Sequence, residues 1–303
     1  MKPAIIPEHY DYVAVYLTDR CPLRCAYCIT EHNDTRFISG TEAATRLKPK
    51  QWAEGLNRLQ LPKGVPLTLQ GGEPLVYPGV WDLLEVLEHP IDILTALPAN
   101  AQMKQWRKLS NSTLNKLRRD APYPTIRVSY HVNQNKLEDL IERVKELQEL
   151  VPVGIYTVDH PDTAEETARA RELCSQNGVF FKTKEFLGHH KGKLYGTYKY
   201  PESVGGKVVK EEVLCKNSVL IFGPDGLSYR CHSDLYHKRK SLAFGSVTDE
   251  HFLVEDKLRS CKFFGMCSEC DVKIKNNHEQ IFGYTSVTIE FPDQEKSAIA
   301  RHG

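Results

Sequence analysis

Short apolar runs rich in β-branched and aromatic residues alternate along the chain with stretches whose apolar residues recur every three to four positions. Residues 12–17 (YVAVYL) read as a buried strand and 66–70 (PLTLQ) as a second. Four more runs follow, 91–97 (IDILTAL), 125–131 (TIRVSYH), 153–158 (VGIYTV) and 179–184 (VFFKTK). Helical patterns lie between them. A helix-like stretch runs from a cysteine-bearing loop to about Gln60, and Val80, Leu83, Leu84 and Leu87 share a face that Pro90 stops. Two helical pieces fill 102–119, and Leu137, Leu140, Ile141, Val144 and Leu147 line one side of an amphipathic helix. Thr163 and Glu166 have capping-box spacing, opening a helix that the NG pair at 177–178 closes.

Strand and helix therefore alternate about six times between residues 12 and 185, which implies parallel strands joined by crossover helices. The pattern fits an open doubly wound sheet or a curved partial barrel and does not separate the two. The texture changes after Leu187. Residues 188–210 are rich in Gly, Lys and Tyr without helical period and read as a linker or active-site loop. Residues 218–231 (SVLIFGPDGLSYRC) read as a hairpin turning at PDG, 224–226. No internal repeat of fixed period is present.

Composition narrows the classes. The chain has 303 residues, 41% hydrophobic and 26% charged, enough for one large domain or one with a smaller companion. A net charge of +1 sets up no field that would draw nucleic acid or an anionic membrane. No apolar run approaches the roughly 20 residues of a spanning helix. The start, MKPAIIPEHYDY, lacks a basic region followed by an apolar core. The expected compartment is the cytoplasm, where clustered cysteines bind metal more often than they form disulfides.

Eight of the nine cysteines fall into two groups. Cys21, Cys25 and Cys28 lie in CPLRCAYC, residues 21–28, directly after the first strand. Three thiolates make an incomplete site, because structural zinc and an iron–sulfur cluster each take four ligands. With only three supplied, one iron of a cluster stays open to a substrate or cofactor. At the end of the second strand lies LQGGEPL, residues 69–75. Glycines allow close backbone approach, and a carboxylate matches an ammonium.

The C-x3-C-x2-C loop after strand one, with Tyr27 before the third cysteine, and the GGEP at strand two together resemble radical S-adenosylmethionine (SAM) enzymes. The resemblance implies that Cys21, Cys25 and Cys28 hold a 4Fe–4S cluster whose open iron takes the amino and carboxylate groups of SAM. It implies that Gly71, Gly72 and Glu73 hold the methionine ammonium. On the fourth strand Ile126, Val128 and Tyr130 share one face, and Arg127, Ser129 and His131 share the other. A polar inward face fits a cofactor-filled lumen, and Ser129 is the candidate for the SAM ribose or carboxylate. Gly154 and Ile155 are the nearest match to the family's adenine motif, which is not intact here.

The second group is Cys215, Cys231, Cys261, Cys267 and Cys270, with Gly226 placed as G-x4-C before Cys231. It resembles the family's C-terminal auxiliary-cluster extension, SPASM in its long form and twitch in its short form. Five cysteines suffice for one cluster, so the short form is the expectation. The chosen ligands are Cys215, Cys231, Cys267 and Cys270. Cys261 is left as a spare thiol or a replacement for one of them, and a set of three would leave an open iron. Zinc is the alternative on ligand type. Cys174 reads as a small buried hydrophobe.

The expected fold class is α/β, a partial (β/α)6 barrel like an incomplete TIM barrel, with a small cysteine-rich hairpin-and-helix region. The expected divisions are a radical SAM part over 1–187, a linker over 188–214 and an auxiliary-cluster region with tail over 215–303. Lysines 182, 184, 191, 193, 199, 207 and 210 make a basic stretch that reads as a solvated loop or as a mouth attracting an anion. His131, Asp159 and His160 end strands where active-site residues sit. The expected function is hydrogen abstraction from a small, anionic substrate by SAM-derived radical chemistry. Two 4Fe–4S clusters and an external reductant such as flavodoxin or ferredoxin would serve it. The alternatives are a peptide-modifying maturase and a non-catalytic iron–sulfur carrier. The Glu73 motif speaks against the carrier, which has no need to bind methionine.

Overall fold

A computed structural model of the chain describes residues 2–29, 46–99, 103–206, 212–274 and 286–292. In chain order the first elements are β1 (Ala4–Ile5), β2 (Tyr12–Tyr16), α1 (Pro49–Leu56), β3 (Leu59–Gln60), β4 (Leu67–Gln70), α2 (Val80–Val86) and β5 (Ile91–Thr95). There follow α3 (Met103–Trp106), α4 (Asn111–Leu117), β6 (Ile126–Ser129), α5 (Leu137–Gln148), β7 (Val153–Asp159), α6 (Ala164–Gln176) and β8 (Phe181–Glu185). The remainder is β9 (Gly188–His190), β10 (Lys193–Tyr195), β11 (Val213–Asn217), β12 (Val219–Phe222), β13 (Ser228–Tyr229), α7 (His232–Tyr236), β14 (Arg259–Cys261), α8 (Glu269–Val272) and β15 (Val287–Glu290).

The main sheet has the order β13-β12-β2-β4-β5-β6-β7-β8. The six expected strands are its run β2-β4-β5-β6-β7-β8, all parallel. The fold is therefore α/β around a large parallel sheet. Strand β12 then joins the outer side of β2, also in parallel, and β13 turns back on it as the expected hairpin. The sheet thus runs on past residue 215 in sequence.

Side-chain parity explains the two faces. Val13, Val15, Leu67, Leu69, Ile91, Ile93, Ile126, Val128, Val153 and Ile155 point to the helix side and pack with Leu83, Leu84, Leu140, Ile141, Val144 and Leu147. Each such burial contributes about 1.5–3 kcal/mol. The opposite face carries Ala14, Tyr16, Val219 and Ile221, packed against Leu235 and Tyr236 of α7. A third apolar cluster, around Val204, Val213, Phe264, Val272, Val287 and Ile289, supports the small sheet β14-β11-β15.

Three local expectations are corrected. The helical reading to Gln60 ends at Leu56, and Leu59–Gln60 is a strand paired with β1; its residues 30–45 lie outside those described. Thr163 makes no side-chain cap, because its hydroxyl donates to the His160 carbonyl at 3.3 Å. The linker at 188–210 opens with an antiparallel hairpin, β9 to β10, turning at Lys191 (φ 48°) and Gly192 (φ 78°). Two successive positive φ values are what a tight hairpin turn requires, and the polar GHHKGKLY text hides the strands.

Candidate functional site

The GGE segment is stitched to the residues that lead into the cysteine loop. Gly72 N–H donates to Thr18 O and Glu73 N–H to Arg20 O, both at 2.8 Å. A Cβ at Gly71 would stand 2.4 Å from Thr18 O, and one at Gly72 2.4 Å from Arg20 O. Gly71 also has φ +145°, which favours glycine. The close approach these glycines permit is thus to the chain itself.

Glu73 is almost fully buried. Its carboxylate accepts from Leu75 N–H at 3.0 Å, Thr95 O–H at 2.6 Å and Ala96 N–H at 2.6 Å. Burial outweighs these bonds and lifts its pKa to about 7. The carboxylate therefore ties the ends of β4 and β5 together.

The cysteine loop carries Cys25 buried, with Cys21 and Cys28 half-buried. Cys28 N–H donates to Cys25 O at 3.0 Å, closing a turn. Burial raises the Cys21 thiol, with Glu73 and Cys28 adding to the rise. Tyr27 extends from the loop to the polar face of the sheet. Its hydroxyl meets His131 Nδ1 at 3.1 Å, and its ring stacks on His131 and His160 at 5.8 and 5.6 Å. Burial, with Lys184 nearby, lowers the His131 pKa to about 4, so the imidazole is neutral near pH 7.

Arg127, Ser129 and His131 share the face away from the helices, as the parity predicts. Ser129 is half-buried at the end of β6, and its carbonyl accepts from Asn135. Arg127 pairs with Asp92 at 3.2 Å, and Asp92 also binds Arg119 at 2.8 Å. Lys184, on β8, points to this same face with its ammonium 5.3 Å from the Tyr156 ring. Burial and the charges of Arg127 and Lys273 lower its pKa to about 7. A cavity of about 950 Å³ opens beside β8, lined by Asp159, His160, Arg171, Phe181, Thr183 and Glu185, among others.

The basic stretch divides in space. Lys182 and Lys184 lie on β8, Lys191 pairs with Asp162 at 2.7 Å, and Lys193 and Lys199 lie over the Tyr195 and Tyr200 rings. Lys207 and Lys210 are outside the described residues. Gly154 lies on β7, where an added Cβ would meet Phe180 and Pro124. Cys174 is fully buried on α6, as expected of a small hydrophobe.

The second cysteine group is only partly drawn together. Cys215, Cys261 and Cys267 pack on the same apolar cluster. Cys231 caps α7, its sulfur accepting from Asp234 N–H at 3.4 Å. Cys270, on α8, lies within the electrostatic reach of Lys184, Lys273 and Tyr16. Next to these two cysteines, His232 and Asp271 form a buried pair at 2.7 Å.

Among the described residues no three His, Cys, Asp or Glu side chains already surround a point where one metal ion would bind. A four-iron cubane spreads its thiolates more widely than one ion does, and cysteine thiolates are the ligands such a cluster takes. The donor set therefore fits such clusters. Tyr16 and Tyr236 are not distinguished by the sequence pattern, and Lys184 is named there only as one lysine of the basic stretch. For Lys184 a signal existed, since alternation on β8 puts it on the face opposite Phe181.

The Radical SAM superfamily model matches residues 15–174, more than half of the chain. GTP 3′,8-cyclase 1 of Pseudomonas aeruginosa is 42% identical over 78 residues, covering 25% of this chain and 22% of that protein. Molybdenum cofactor biosynthesis protein 1 of Bos taurus is 38% identical over 81 residues, 26% of this chain and 12% of that protein. The chain thus spans about a fifth or less of the curated relatives it matches. Among solved structures, anSMEcpe with bound AdoMet aligns over 82% of this chain and 76% of its own, at TM-score 0.48 and 12% identity. Streptococcus suis SuiB bound to precursor peptide SuiA aligns over 59% and 40%, at TM-score 0.39 and 18% identity. With a family model covering both the cysteine loop and the GGE segment, the chain belongs to the radical SAM superfamily of enzymes.

Proposed function

We propose that Cys21, Cys25 and Cys28 hold the 4Fe–4S cluster that family membership implies, with SAM completing the open iron. Bound there, the cluster and SAM would supply one-electron, radical-initiating chemistry for hydrogen abstraction from substrate. The chain's own part is placement. Gly71 and Gly72 hold the cysteine loop against β4, and the Gly71–Glu73 segment would receive the methionine ammonium. Ser129 would take the ribose or carboxylate. Tyr27, His131 and His160 wall the site and exclude water. His131, neutral near pH 7, is available to accept a proton after hydrogen abstraction.

The substrate class proposed is a small anion. The observation that carries it is the half-buried ammonium of Lys184 on the polar face, within electrostatic reach of Arg127 and Lys273. A group of cationic side chains on this face favours a carboxylate or phosphate. The GTP named in the cyclase relatives is itself such a polyanion. A second, auxiliary 4Fe–4S cluster on the C-terminal cysteines would pass on electrons or position substrate. One-electron donors of the flavodoxin or ferredoxin kind would feed the first. All nine cysteines are free of disulfides, and no described helix is long and apolar enough to cross a membrane. Both observations accord with work in the cytoplasm.

One observation favours the alternative of a peptide-modifying maturase. Strand β8 is an edge, pairing with β7 alone among the described residues, and the 950 Å³ cavity runs along it. A row of outward backbone groups beside a groove suits an extended peptide.

The test is anaerobic incubation of reduced, reconstituted protein with SAM and an assay for 5′-deoxyadenosine. Formation is expected, and Cys21→Ala should abolish it. If a protein loaded with iron makes none, the carrier reading replaces this one. Stimulation by unstructured peptides but not by small anions would move the substrate to the second class.

A further inference from the structure

Three of the expected auxiliary ligands sit on two segments far apart in sequence. Cys231 opens α7, while Cys267 lies just before α8 and Cys270 within it. A cluster can bridge the two segments only where other groups hold them at a fixed spacing, the part that outer partners play around a metal's ligands.

Direct bonds supply that spacing, and each comes from a residue next in the chain to a cysteine. Asp271 follows Cys270. Its carboxylate accepts the backbone N–H of His232 at 3.2 Å and that of Ser233 at 3.3 Å, the two residues after Cys231. The same carboxylate meets His232 Nδ1 at 2.7 Å. Met266 precedes Cys267, and its carbonyl accepts from the Ser233 hydroxyl at 2.7 Å. The start of α7 is thus bonded to both ends of the Cys267–Cys270 span.

The joint is dry and stiff. Asp271, His232 and Ser233 are all buried, where a lost partner leaves a polar group unsatisfied. The N–H groups that Asp271 takes belong to the first turn of α7, which offers them no acceptor of its own. Cys231 itself takes the next one, from Asp234, at 3.4 Å. Arg239 donates to the Ser233 hydroxyl oxygen at 3.1 Å and fixes its direction. The His232 ring is backed by Tyr16, edge-on at 6.3 Å, and by Tyr236 at 5.8 Å.

We propose that Asp271 and Ser233 are positioning residues of the auxiliary cluster. Asp271 sets Cys231 against Cys270, and Ser233 sets it against Cys267. The proposal rests on the auxiliary-cluster reading above and concerns what holds the thiols. Asp271 has a second effect, because a carboxylate beside the ligands opposes the negative charge that reduction adds to the cluster.

Iron content, electron paramagnetic resonance and the midpoint potential of the centre test this without a substrate. In a chain with Cys21, Cys25 and Cys28 all changed to Ala, reconstitution with iron and sulfide should leave about four irons per chain. Adding Asp271→Ala should lose most of this iron, and adding Ser233→Ala should release it faster to a chelator. Asp271→Asn keeps one acceptor oxygen and removes the charge, so it should keep the iron and raise the midpoint potential. Asp271→Ala is also prepared with the N-terminal cysteines intact, where about four irons retained show that the chain still folds. If that chain does not fold, the potential of Asp271→Asn decides alone. Full iron in Asp271→Ala, or an unshifted potential in Asp271→Asn, overturns the proposal. No iron in the triple-Ala chain with Asp271 in place, or zinc instead, would remove the auxiliary cluster itself, a different failure from a wrong account of what positions it.

Discussion

The hydroxyls of Tyr16 and Tyr236 meet at 3.2 Å, although 220 positions separate the two residues in sequence. Tyr16 ends β2, the strand that delivers the cysteine loop, and Tyr236 ends α7, which starts at Cys231. The Tyr16 ring also meets His232 edge-on at 6.3 Å. The two cysteine-bearing segments are thus bonded to each other through buried side chains.

That bond has a measurable size. A buried hydrogen bond contributes about 0.5–1.5 kcal/mol net. Tyr16→Phe and Tyr236→Phe should each lower stability by about 1 kcal/mol in urea unfolding, and the double variant by less than the sum. Effects that add within about 0.3 kcal/mol would show that the hydroxyls do not act as a pair.

Gly72 has backbone on every side where a Cβ would go. Arg20 O lies 2.4 Å away and Asp19 O 2.6 Å away. Neither can yield as a flexible side chain would, so Gly72→Ala must push Thr18–Arg20 and the loop behind it. The expected result is a loss of about 1–3 kcal/mol and of iron from the first cluster, with the auxiliary iron kept. Full retention of iron at both sites would show that the loop is held by other means.

Glu73 sets a pH dependence whose sign follows from burial. Its folded pKa is near 7 against the ordinary 4.5 of a glutamate carboxyl. Between those values the folded chain keeps a proton that the unfolded chain releases. The stability from this group is present below about pH 4.5 and is lost as pH rises toward 7, a fall of about 3 kcal/mol for the full shift. Glu73→Gln should flatten that part of the curve. Parallel curves for the two proteins from pH 4 to 8, measured as urea midpoints, would refute an uncharged Glu73.

Lys184 acts in the opposite sense. Burial lowers its folded pKa from 10.5 to about 7, so the folded chain binds fewer protons than the unfolded chain in that window. Stability should rise with pH across it, and Lys184→Met should remove the slope and be the more stable protein at pH 7. The same variant should bind inorganic pyrophosphate at least tenfold more weakly by calorimetry, as loss of a charge-assisted bond worth about 1.5–3 kcal/mol requires. Unchanged pyrophosphate affinity would place the anion elsewhere.

Much of this molecule was readable in one dimension. Alternation on β6 assigned Arg127, Ser129 and His131 to one face, because a strand's side-chain period leaves no third choice. The face of α5 followed from Leu137, Leu140, Ile141, Val144 and Leu147 for the same reason at helical period. The paired glycines have a role besides the one their types suggest. Their freedom serves contact with Thr18–Arg20, which no local pattern could disclose. The hairpin at Gly188–Tyr195 escaped because its strands are short and polar and only its turn is distinctive.

Local residue order was enough for the strand–helix alternation, the three-thiol loop and the family, since each depends on spacings within a few turns of chain. What needed folding was every relationship across distance: β12 beside β2, Tyr16 on Tyr236, Lys184 on the same face of the sheet as Arg127, and Cys261 sharing a sheet face with Cys215. Pairing register and packing choose those neighbours, and both come from the whole chain's search for buried area and satisfied hydrogen bonds. A pattern of nearby residues specifies which face a side chain takes, and only the assembled core specifies what it meets there.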